Sequence, residues 1–253
     1  MGSIGDESCN MNPKAAGTAK FPDLALSVIV PAYNEERNIE HNIPRMVESL
    51  RRNVGSFELI LIDDCSRDST AELAQRLADR FAEIVLVRNP VNLRQGPSLA
   101  KGFAMARYDL VMHNGMDSPF AFDDLPFLLE HFPKADVVVA ARRTYPGTTF
   151  SRRLMSAANR ALIRALFGTR LRDYNFVQVY KRSVLDAQTT FAKSTPFITP
   201  EKIIRACRSG LNVVEVEVDY HHRAAGKPSS ANWRNIRAAL GEMGRLWREL
   251  RRQ

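Results

Sequence analysis

Short apolar runs alternate with amphipathic segments along the first half of the chain. The apolar runs are rich in Val, Ile and Leu and predict strands at 26–31, 57–63, 84–88, 109–113 and 136–141. Apolar residues at helical spacing between these runs predict helices at 36–52, 68–81, 96–106 and 123–132. Apolar strands that alternate with helices are typical of a parallel sheet covered on both faces. We therefore expect one α/β domain with a mostly parallel central sheet flanked by helices.

The second half of the chain continues with less regular elements. The pattern predicts a helix at 151–167, a strand at 175–181, a helix at 198–209 and a strand at 213–219. Gly210 follows the second of these helices, where a glycine commonly ends a helix. A polar loop rich in Gly, Pro and Ser then occupies 221–230, and we expect this loop to be mobile.

The final predicted helix, 232–251, is both amphipathic and basic. Its apolar stripe consists of Trp233, Ile236, Leu240, Met243, Trp247 and Leu250. Its other faces carry Arg234, Arg237, Arg245, Arg248, Arg251 and Arg252. We favour packing of the stripe on the domain, because most such stripes are core. The alternative is that the helix lies on an anionic membrane surface as a peripheral contact.

The composition of the chain limits which binding partners and which cellular compartments we expect. The 253 residues carry a net charge of +8 and three cysteines, whose spacing fits neither a disulfide frame nor a zinc motif. No apolar run reaches the roughly 18 residues of a membrane-spanning helix, and 1–22 reads as a disordered lead without a signal peptide. We expect a cytoplasmic protein, with association to a membrane surface as the alternative. The basic charge suits anionic small molecules or serves solubility alone, and charge by itself does not separate these alternatives. A nucleic-acid partner is not supported by any aromatic-plus-basic module.

Two segments, 28–36 and 59–70, each run from an apolar strand through a polar turn into a helix. Carboxyl ends of strands are where open α/β sheets bind nucleotides. Tyr33 offers a ring face to a base, and Asp63 and Asp64 offer acceptors to ribose hydroxyls and base N–H groups. No G-x-G-x-x-G follows either strand, which disfavours a dinucleotide-binding dehydrogenase. The candidate donor-site residues of the two turns are Pro31, Ala32, Tyr33, Glu35, Asp63 and Asp64.

The amino-acid sequences of these two turns resemble those of the family 2 glycosyltransferases, and within that family those of the dolichol- or polyprenol-phosphate sugar synthases. A third element, the turn at 92–96 that ends in Gly96, resembles the Asn-x-x-x-Gly turn of that family. The resemblance implies a GT-A (Rossmann-like) fold over 23–231, with a donor half at 23–120 and an acceptor half at 121–231. It also implies a nucleotide-diphosphate sugar as donor. The basic amphipathic helix of 232–253 follows this domain.

The sequence departs from this family where the Asp-x-Asp metal site would stand. Alignment on Pro119 puts His113 and Gly115 at the two aspartate positions, with Asn114 between them and Asp117 two residues further on. In the family these aspartates hold Mg²⁺ or Mn²⁺, hard cations that prefer oxygen ligands. We therefore expect weak or absent metal binding.

Three consequences of this departure stay open. Asp117 and His113 could together hold Mn²⁺, which tolerates imidazole. Cationic side chains could replace the metal, with Arg223 and Lys227 of the polar loop as candidates; that loop resembles the family's Arg-x-x-Gly-x-Ser lid over the donor. The third alternative is a catalytically inactive protein that still binds nucleotide sugars.

For the acceptor, the resemblance implies that arginine and serine side chains bind the phosphate group of a lipid phosphate. The candidates are Arg142, Arg143, Arg152 and Ser156. The resemblance also implies direct in-line displacement with inversion at the anomeric carbon. An ionised polyprenyl phosphate needs no general base, whereas a hydroxyl of a soluble natural product would need a carboxylate. Asp117 is the first candidate for that base and Asp173 the second.

Overall fold

A computed structural model describes residues 19–116, 120–143, 150–219 and 233–252 of the chain. Within these ranges seven strands form a single sheet. The strands are β1 (Phe21–Ala32), β2 (Val54–Asp63), β3 (Ile84–Arg88), β4 (Leu110–His113), β5 (Val137–Arg142), β6 (Gln178–Lys181) and β7 (Val213–Val218). Their order is β3-β2-β1-β4-β6-β5-β7. Only β6 runs antiparallel to its neighbours, which confirms the mostly parallel sheet.

Helices cover both faces of this sheet, as expected. They are α1 (Glu36–Asn53), α2 (Thr70–Arg80), α3 (Gln95–Met105), α4 (Leu125–Leu129), α5 (Phe150–Phe167), α6 (Arg182–Asp186), α7 (Ile198–Arg208) and α8 (Trp233–Leu250). The helix predicted at 123–132 is instead a 3₁₀ turn, Phe122–Asp124, followed by the short α4. The proline at 133 disfavours helical backbone at Phe132, so the helix ends early. The five-residue α6 was not predicted, because it is too short to show a periodic pattern.

The core consists of two apolar layers, one on each face of the sheet. Side chains such as Val28, Leu59 and Met112 point to the face covered by α1, α2 and α4. Their neighbours along the same strands, such as Ile29, Ile60 and Val111, point to the face covered by α3, α5, α7 and α8. Since successive strand residues alternate between faces, strands buried on both sides read as continuous apolar runs.

The C-terminal helix α8 packs on the second of these layers. Ala239, Met243 and Leu246 are buried there, and Trp247 and Leu250 lie partly buried beside them. Leu240, in contrast, is 48% exposed. The stripe therefore packs on the domain from Met243 to Leu250, whereas Leu240 lies outside this contact and the arginines of α8 are exposed. No helix in the described ranges combines the length and the apolar character needed to cross a bilayer.

We predict that Leu246→Ala lowers the free energy of unfolding by about 2–5 kcal/mol, because it removes a fully buried side chain and leaves a cavity. Leu240→Ala on the same helix is the matched control, and it should cost less than about 0.5 kcal/mol. Urea denaturation of the two variants measures both values. Equal losses would contradict the packing of α8 described above.

Candidate functional site

The carboxyl ends of β1, β2 and β4 meet at one edge of the sheet. Ala32 pairs with Asp63 at the last position of β1 and β2, whereas β4 leaves β1 at the Ile29–His113 pair. The chain continues from β1 to β2 and β3 on one side and returns to β4 on the other. In α/β sheets such a reversal of strand order forms the crevice in which ligands bind. The predicted donor-site residues follow the strands that border this crevice.

Hydrogen bonds join the turn after β1 to the turn after β2. The backbone N–H of Asn34 donates to Ser66 Oγ at 3.0 Å, and that of Arg67 donates to Asn34 Oδ1 at 2.9 Å. The N–H of Glu35 donates to Thr70 Oγ1 at 2.7 Å. Because these bonds run in both directions, the two turns form one hydrogen-bonded unit.

Three non-glycine residues with positive φ lie in the loops at this edge. Asn34 (φ 55°), Cys65 (φ 62°) and Arg94 (φ 71°) follow β1, β2 and β3 respectively. Residues other than glycine have a steric cost in this conformation, and the cost is smallest for residues such as asparagine. Local strain of this kind concentrates at functional sites, where the surroundings hold it in place. Its position in three consecutive loops is therefore independent support for a site at this edge.

Asp64 organises the loop between β3 and α3. Its Oδ1 accepts hydrogen bonds from Asn89 Nδ2 (2.8 Å), the Leu93 N–H (2.9 Å) and Ser98 Oγ (3.0 Å). Its Oδ2 accepts one from the Arg94 N–H at 2.8 Å. Among the described residues, Oδ1 thus accepts three hydrogen bonds and Oδ2 only one, so Oδ2 is the oxygen at which a further donor could bind. The sequence offered no signal for this structural role, because the partners come from a loop about 30 residues away.

The other predicted donor-side residues border the crevice in different ways. Tyr33 is 41% exposed, whereas Asp63 is buried and its Oδ1 accepts the Ser66 N–H at 3.1 Å. Glu35 Oε2 accepts from Asn38 Nδ2 at 2.6 Å. Of the strand-end residues, Ala32 is buried and Pro31 is half-buried within β1, which ends one residue later than predicted.

Gly96 lies in the first turn of α3, where it faces the backbone of another loop. A Cβ atom at this position would lie 2.0 Å from the carbonyl oxygen of Lys193. No side chain fits in that space, so glycine is required for this approach. The structure thus gives Gly96 a packing role at the start of α3.

The altered end of β4 is buried and uncharged. Burial lowers the pKa of His113 to about 4, although a hydrogen bond of its ring to the Phe176 backbone acts in the opposite direction. Its Nδ1 and both amide atoms of Asn114 have no hydrogen-bond partner among the described residues. Gly115, which follows, is half-buried and has no side chain to bind a ligand.

These residues do not fit a hard divalent cation. Mg²⁺ takes carboxylate and other oxygen ligands, and here the end of β4 offers a neutral imidazole and one amide. In the described part of the chain, no three His, Cys, Asp or Glu side chains converge as a metal site would require. Asp117 lies outside the described residues, as do Arg223 and Lys227.

A buried polar cluster adjoins His113 on the α3 side of the sheet. The β4–β6 register places His113 beside Gln178, whose Oε1 lacks a described partner, as does the hydroxyl of Tyr180. The ring of Phe103 lies 6.1 Å from those of His113 and Tyr180, and Lys202 Nζ lies 4.9 Å from the Phe103 centroid. Burial lowers the pKa of Lys202 to about 8. Unpartnered buried polar atoms are rare and point to water or to a ligand.

Sequence reasoning missed this cluster. The available signal was Lys202, which stands at helical spacing between Ile198 and Ala206 on the apolar face of α7. A lysine on such a face is seldom fully buried without a partner, and that makes it a candidate for a role beyond solubility.

The predicted acceptor arginines at the end of β5 are already paired with carboxylates. Arg142 binds Asp173 through two hydrogen bonds of 2.6 and 3.1 Å and lies over the Phe176 ring. Arg143 Nη1 lies 3.3 Å from Asp219 Oδ1, and Arg143 Nε lies 3.7 Å from Glu217 Oε2. The structure therefore brings positive and negative groups together here, rather than a purely basic patch.

The other two predicted acceptor residues belong to α5. Ser156 is exposed on this helix, and of residue 152 the backbone alone is described. The structure does not bring Ser156 into contact with Arg142 or Arg143 through any described hydrogen bond.

The sequence model of glycosyl transferase family 2 matches residues 27–191, well over half of the chain. The chain belongs to glycosyl transferase family 2. This confirms the resemblance that the two turns carry. The match to family 2 runs from within β1 to beyond β6 and includes the end of β4.

Two curated relatives of this family 2 member have names that specify a lipid-phosphate acceptor. An undecaprenyl-phosphate 4-deoxy-4-formamido-L-arabinose transferase from Pseudomonas paraeruginosa is 29% identical over 211 residues, 82% of this chain and 60% of its own. The enzyme of the same name from Proteus mirabilis is 28% identical over 206 residues, covering 79% and 61%. The chain thus spans about 60% of the length of these relatives.

Solved structures support the fold expected of family 2. Glucosyl-3-phosphoglycerate synthase from Mycobacterium tuberculosis, in complex with Mn²⁺, UDP-glucose and phosphoglyceric acid, matches with a TM-score of 0.68 and 22% identity over 89% of this chain and 80% of its own. Mannosyl-3-phosphoglycerate synthase from Rubrobacter xylanophilus matches with a TM-score of 0.69 and 18% identity, covering 91% and 76%. At these identities the likeness establishes the GT-A architecture alone.

We predict that His113 makes stability depend on pH. Its pKa is about 4 in the folded protein and 6.5 in the unfolded chain, so the unfolded state binds more protons between these values. The free energy of unfolding is therefore unaffected by the titration of His113 above pH 6.5. It falls as the pH is lowered from 6.5 towards 4, by up to roughly 3 kcal/mol.

The measurement compares urea denaturation of the native protein and of His113→Gln from pH 7 to pH 4. Carboxylates such as Asp136 and Glu249 titrate in both proteins, so the difference between the two curves isolates His113. Parallel curves over this pH range would show that the imidazole is not held neutral.

Proposed function

We propose that this chain transfers a sugar from a nucleotide-diphosphate sugar to a polyprenyl or dolichyl phosphate, with inversion at the anomeric carbon. The observation that carries the proposal is the pair of turns after β1 and β2. They are joined by hydrogen bonds and border the crevice between β1 and β4 in a member of glycosyl transferase family 2. The names of the undecaprenyl-phosphate transferases support a lipid phosphate as acceptor.

In this proposal the donor lies along the carboxyl edge from β2 to β4. Tyr33 stacks on the base, since its exposed ring needs no rearrangement to do so. Asp63 and Glu35 accept hydrogen bonds from the nucleoside, with the spare capacity of Asp64 Oδ2 beside them. The backbone of Pro31 and Ala32 lines the crevice.

The diphosphate and the sugar lie at the end of β4 in the same proposal. The unpartnered amide of Asn114 can donate to a phosphate oxygen, and Nδ1 of neutral His113 can accept from a sugar hydroxyl. Gly115 lets the ligand approach the backbone closely.

The proposed transfer does not depend on a metal ion. The phosphate oxygen of the acceptor attacks the anomeric carbon while the bond from that carbon to the diphosphate breaks. Negative charge develops on the leaving nucleoside diphosphate, and fixed cations can stabilise it. Arg223 and Lys227, which lie outside the described residues, take this role in the proposal.

Arginines and a serine of the acceptor half hold the incoming phosphate in this proposal. Arg142 and Arg143 stand at the end of β5, and the phosphate displaces carboxylates such as Asp173 from them. Arg152 and Ser156 approach from α5. Beside them Leu154 and Met155 are 61% and 49% exposed, which offers apolar surface to an isoprenoid chain.

A lipid acceptor requires contact with a membrane surface, and α8 is the proposed contact. Its apolar stripe is used in packing, so its arginines are what it can present to anionic lipids. The contact would therefore be electrostatic and peripheral, at roughly 1 kcal/mol for each arginine near the surface. The exposed arginines of α8 are Arg234, Arg237, Arg245 and Arg248.

The ion pairs at the end of β5 favour a second candidate function. Because Arg142 and Arg143 already have carboxylate partners, the acceptor could be the hydroxyl of a soluble natural product. Such a hydroxyl must lose its proton, and Asp117 is the proposed general base. Activity on a water-soluble acceptor that Asp117→Asn abolishes would favour this candidate.

We predict that the protein transfers label from one of the UDP-, GDP-, CDP- or dTDP-hexoses to undecaprenyl phosphate, and that EDTA leaves the rate unchanged. The reason is that the described end of β4 has no carboxylates to hold the cation. Extraction of labelled lipid with and without EDTA is the measurement.

The matched control restores the metal ligands. A variant with His113→Asp and Gly115→Asp recreates Asp-x-Asp and should gain a dependence on Mn²⁺ or Mg²⁺. Loss of native activity in EDTA with recovery on adding Mn²⁺ would contradict metal independence. Donor binding by calorimetry without transfer to any acceptor would identify an inactive nucleotide-sugar-binding protein instead.

We also predict that Tyr33→Ala raises the Kd for the donor by about ten-fold through loss of base stacking. Stability should hardly change, since the ring is 41% exposed. Tyr108→Ala is the control, because Tyr108 lies at the opposite, amino-terminal edge of the sheet. Calorimetric titration with the accepted donor measures both, and equal affinities of the two variants would exclude stacking on Tyr33.

A further inference from the structure

Carboxylates from two helices hold four consecutive backbone N–H groups of residues 191–194, here named the clamped segment. Glu201 of α7 is fully buried and accepts from the N–H groups of Phe191 at 3.2 Å and Ala192 at 2.7 Å. Glu242 of α8 accepts from those of Lys193 at 2.9 Å and Ser194 at 3.2 Å, and from the Ser194 hydroxyl. Hydrogen bonds to a charged acceptor are stronger than neutral ones, so the segment is held at both ends.

The clamped segment in turn packs against the start of α3. The Lys193 carbonyl group occupies the space where a side chain of residue 96 would lie, with its oxygen 2.0 Å and its carbon 2.8 Å from an ideal Cβ. The contact is between two main chains, which cannot adjust by changing rotamer. The position of Lys193 therefore determines how closely the first turn of α3 approaches the domain.

That first turn of α3 belongs to the loop that Asp64 organises. Arg94, directly before the helix, has a φ of 71° and donates its N–H to Asp64 Oδ2 at 2.8 Å. Ser98, one turn into the helix, donates its hydroxyl to Asp64 Oδ1 at 3.0 Å. A shift of Gly96 would thus pull on both oxygens of Asp64, at the end of β2 where the proposed donor lies.

We propose that Glu242 of the C-terminal helix is a positioning residue for the donor site, acting through the clamped segment and Gly96 on the loop bound to Asp64. The inference rests on the proposed function for the identity of the ligand. Contacts other than those of Glu242 also hold α8 in place. Met243 and Leu246 anchor that helix in the core, and Glu249 binds Arg205 of α7 at 2.8 Å.

The test compares two glutamates of the same helix. Glu242→Ala releases the amides of Lys193 and Ser194. Glu249→Ala removes one partner of Arg205, which keeps its 2.9 Å hydrogen bond to Glu201, and leaves the bonds of Glu242 to the clamped segment in place. We expect Glu242→Ala to raise the KM or Kd for the donor by about ten-fold with little change in kcat. Glu249→Ala should leave donor affinity at the native value, and Glu242→Gln, which keeps one acceptor oxygen, should fall between.

Hydrogen exchange of the protein without ligand tests the structural link separately. Glu242→Ala should speed exchange of the Leu93 and Arg94 amides, which Asp64 protects, and Glu249→Ala should not. Gly96→Ala should give the same effects, and combining it with Glu242→Ala should add little, because both act on one contact.

Different results separate this inference from the proposed function. Faster exchange at residues 93–94 in a protein that binds no nucleotide sugar would leave the link standing and remove the proposed function. Unchanged exchange in Glu242→Ala would overturn the inference whatever the ligand. So would equal losses of donor affinity in Glu242→Ala and Glu249→Ala.

Discussion

The parallel pairing of β1 with β2, which stays in register to the last residue of each strand, is the constraint on which the site depends. It brings Ala32 level with Asp63, and the turns that follow start side by side. Backbone N–H groups of the first turn can then donate to Ser66 and Thr70 of the second. One residue of slippage would reverse the faces of β1 and separate these partners.

The loops at this edge carry strain that buried carboxylates offset. Arg94 has a backbone conformation that favours glycine, yet its N–H and that of Leu93 are held by Asp64. Glu201 and Glu242 likewise bind backbone N–H groups of residues 191–194, although no residue there has a positive φ. In each case an acidic side chain replaces the regular hydrogen bonding of a helix or strand. The precision of the crevice therefore depends on carboxylates outside it as well as on those that border it.

Much of the fold could be predicted because its signals are local. Apolar runs and helical periodicity marked every strand and all the longer helices, and the two polar turns indicated the family. The roles of Asp64, Arg142 and Lys202 could not be predicted, because the residues that bind them are distant in sequence. The separations are 29 residues for Asp64 and Leu93, 31 for Arg142 and Asp173, and 12 for Lys202 and Thr190. Sequence reasoning identifies a residue type at a strand end. Whether that residue meets a ligand or another loop depends on tertiary packing.

The end of β4 is consistent with a metal-free site on electrostatic grounds. Two aspartates without a cation would repel a diphosphate, because like charges a few ångströms apart cost several kcal/mol away from bulk water. Under the proposed function, a donor site that works without a metal ion would therefore also have to lack these two carboxylates. His113 is held neutral and Asn114 carries no charge, so neither opposes an anionic ligand. Under the proposed function, the His113-Asn114-Gly115 sequence is thus a coherent replacement rather than a decayed metal site, with the positive charge supplied by other residues.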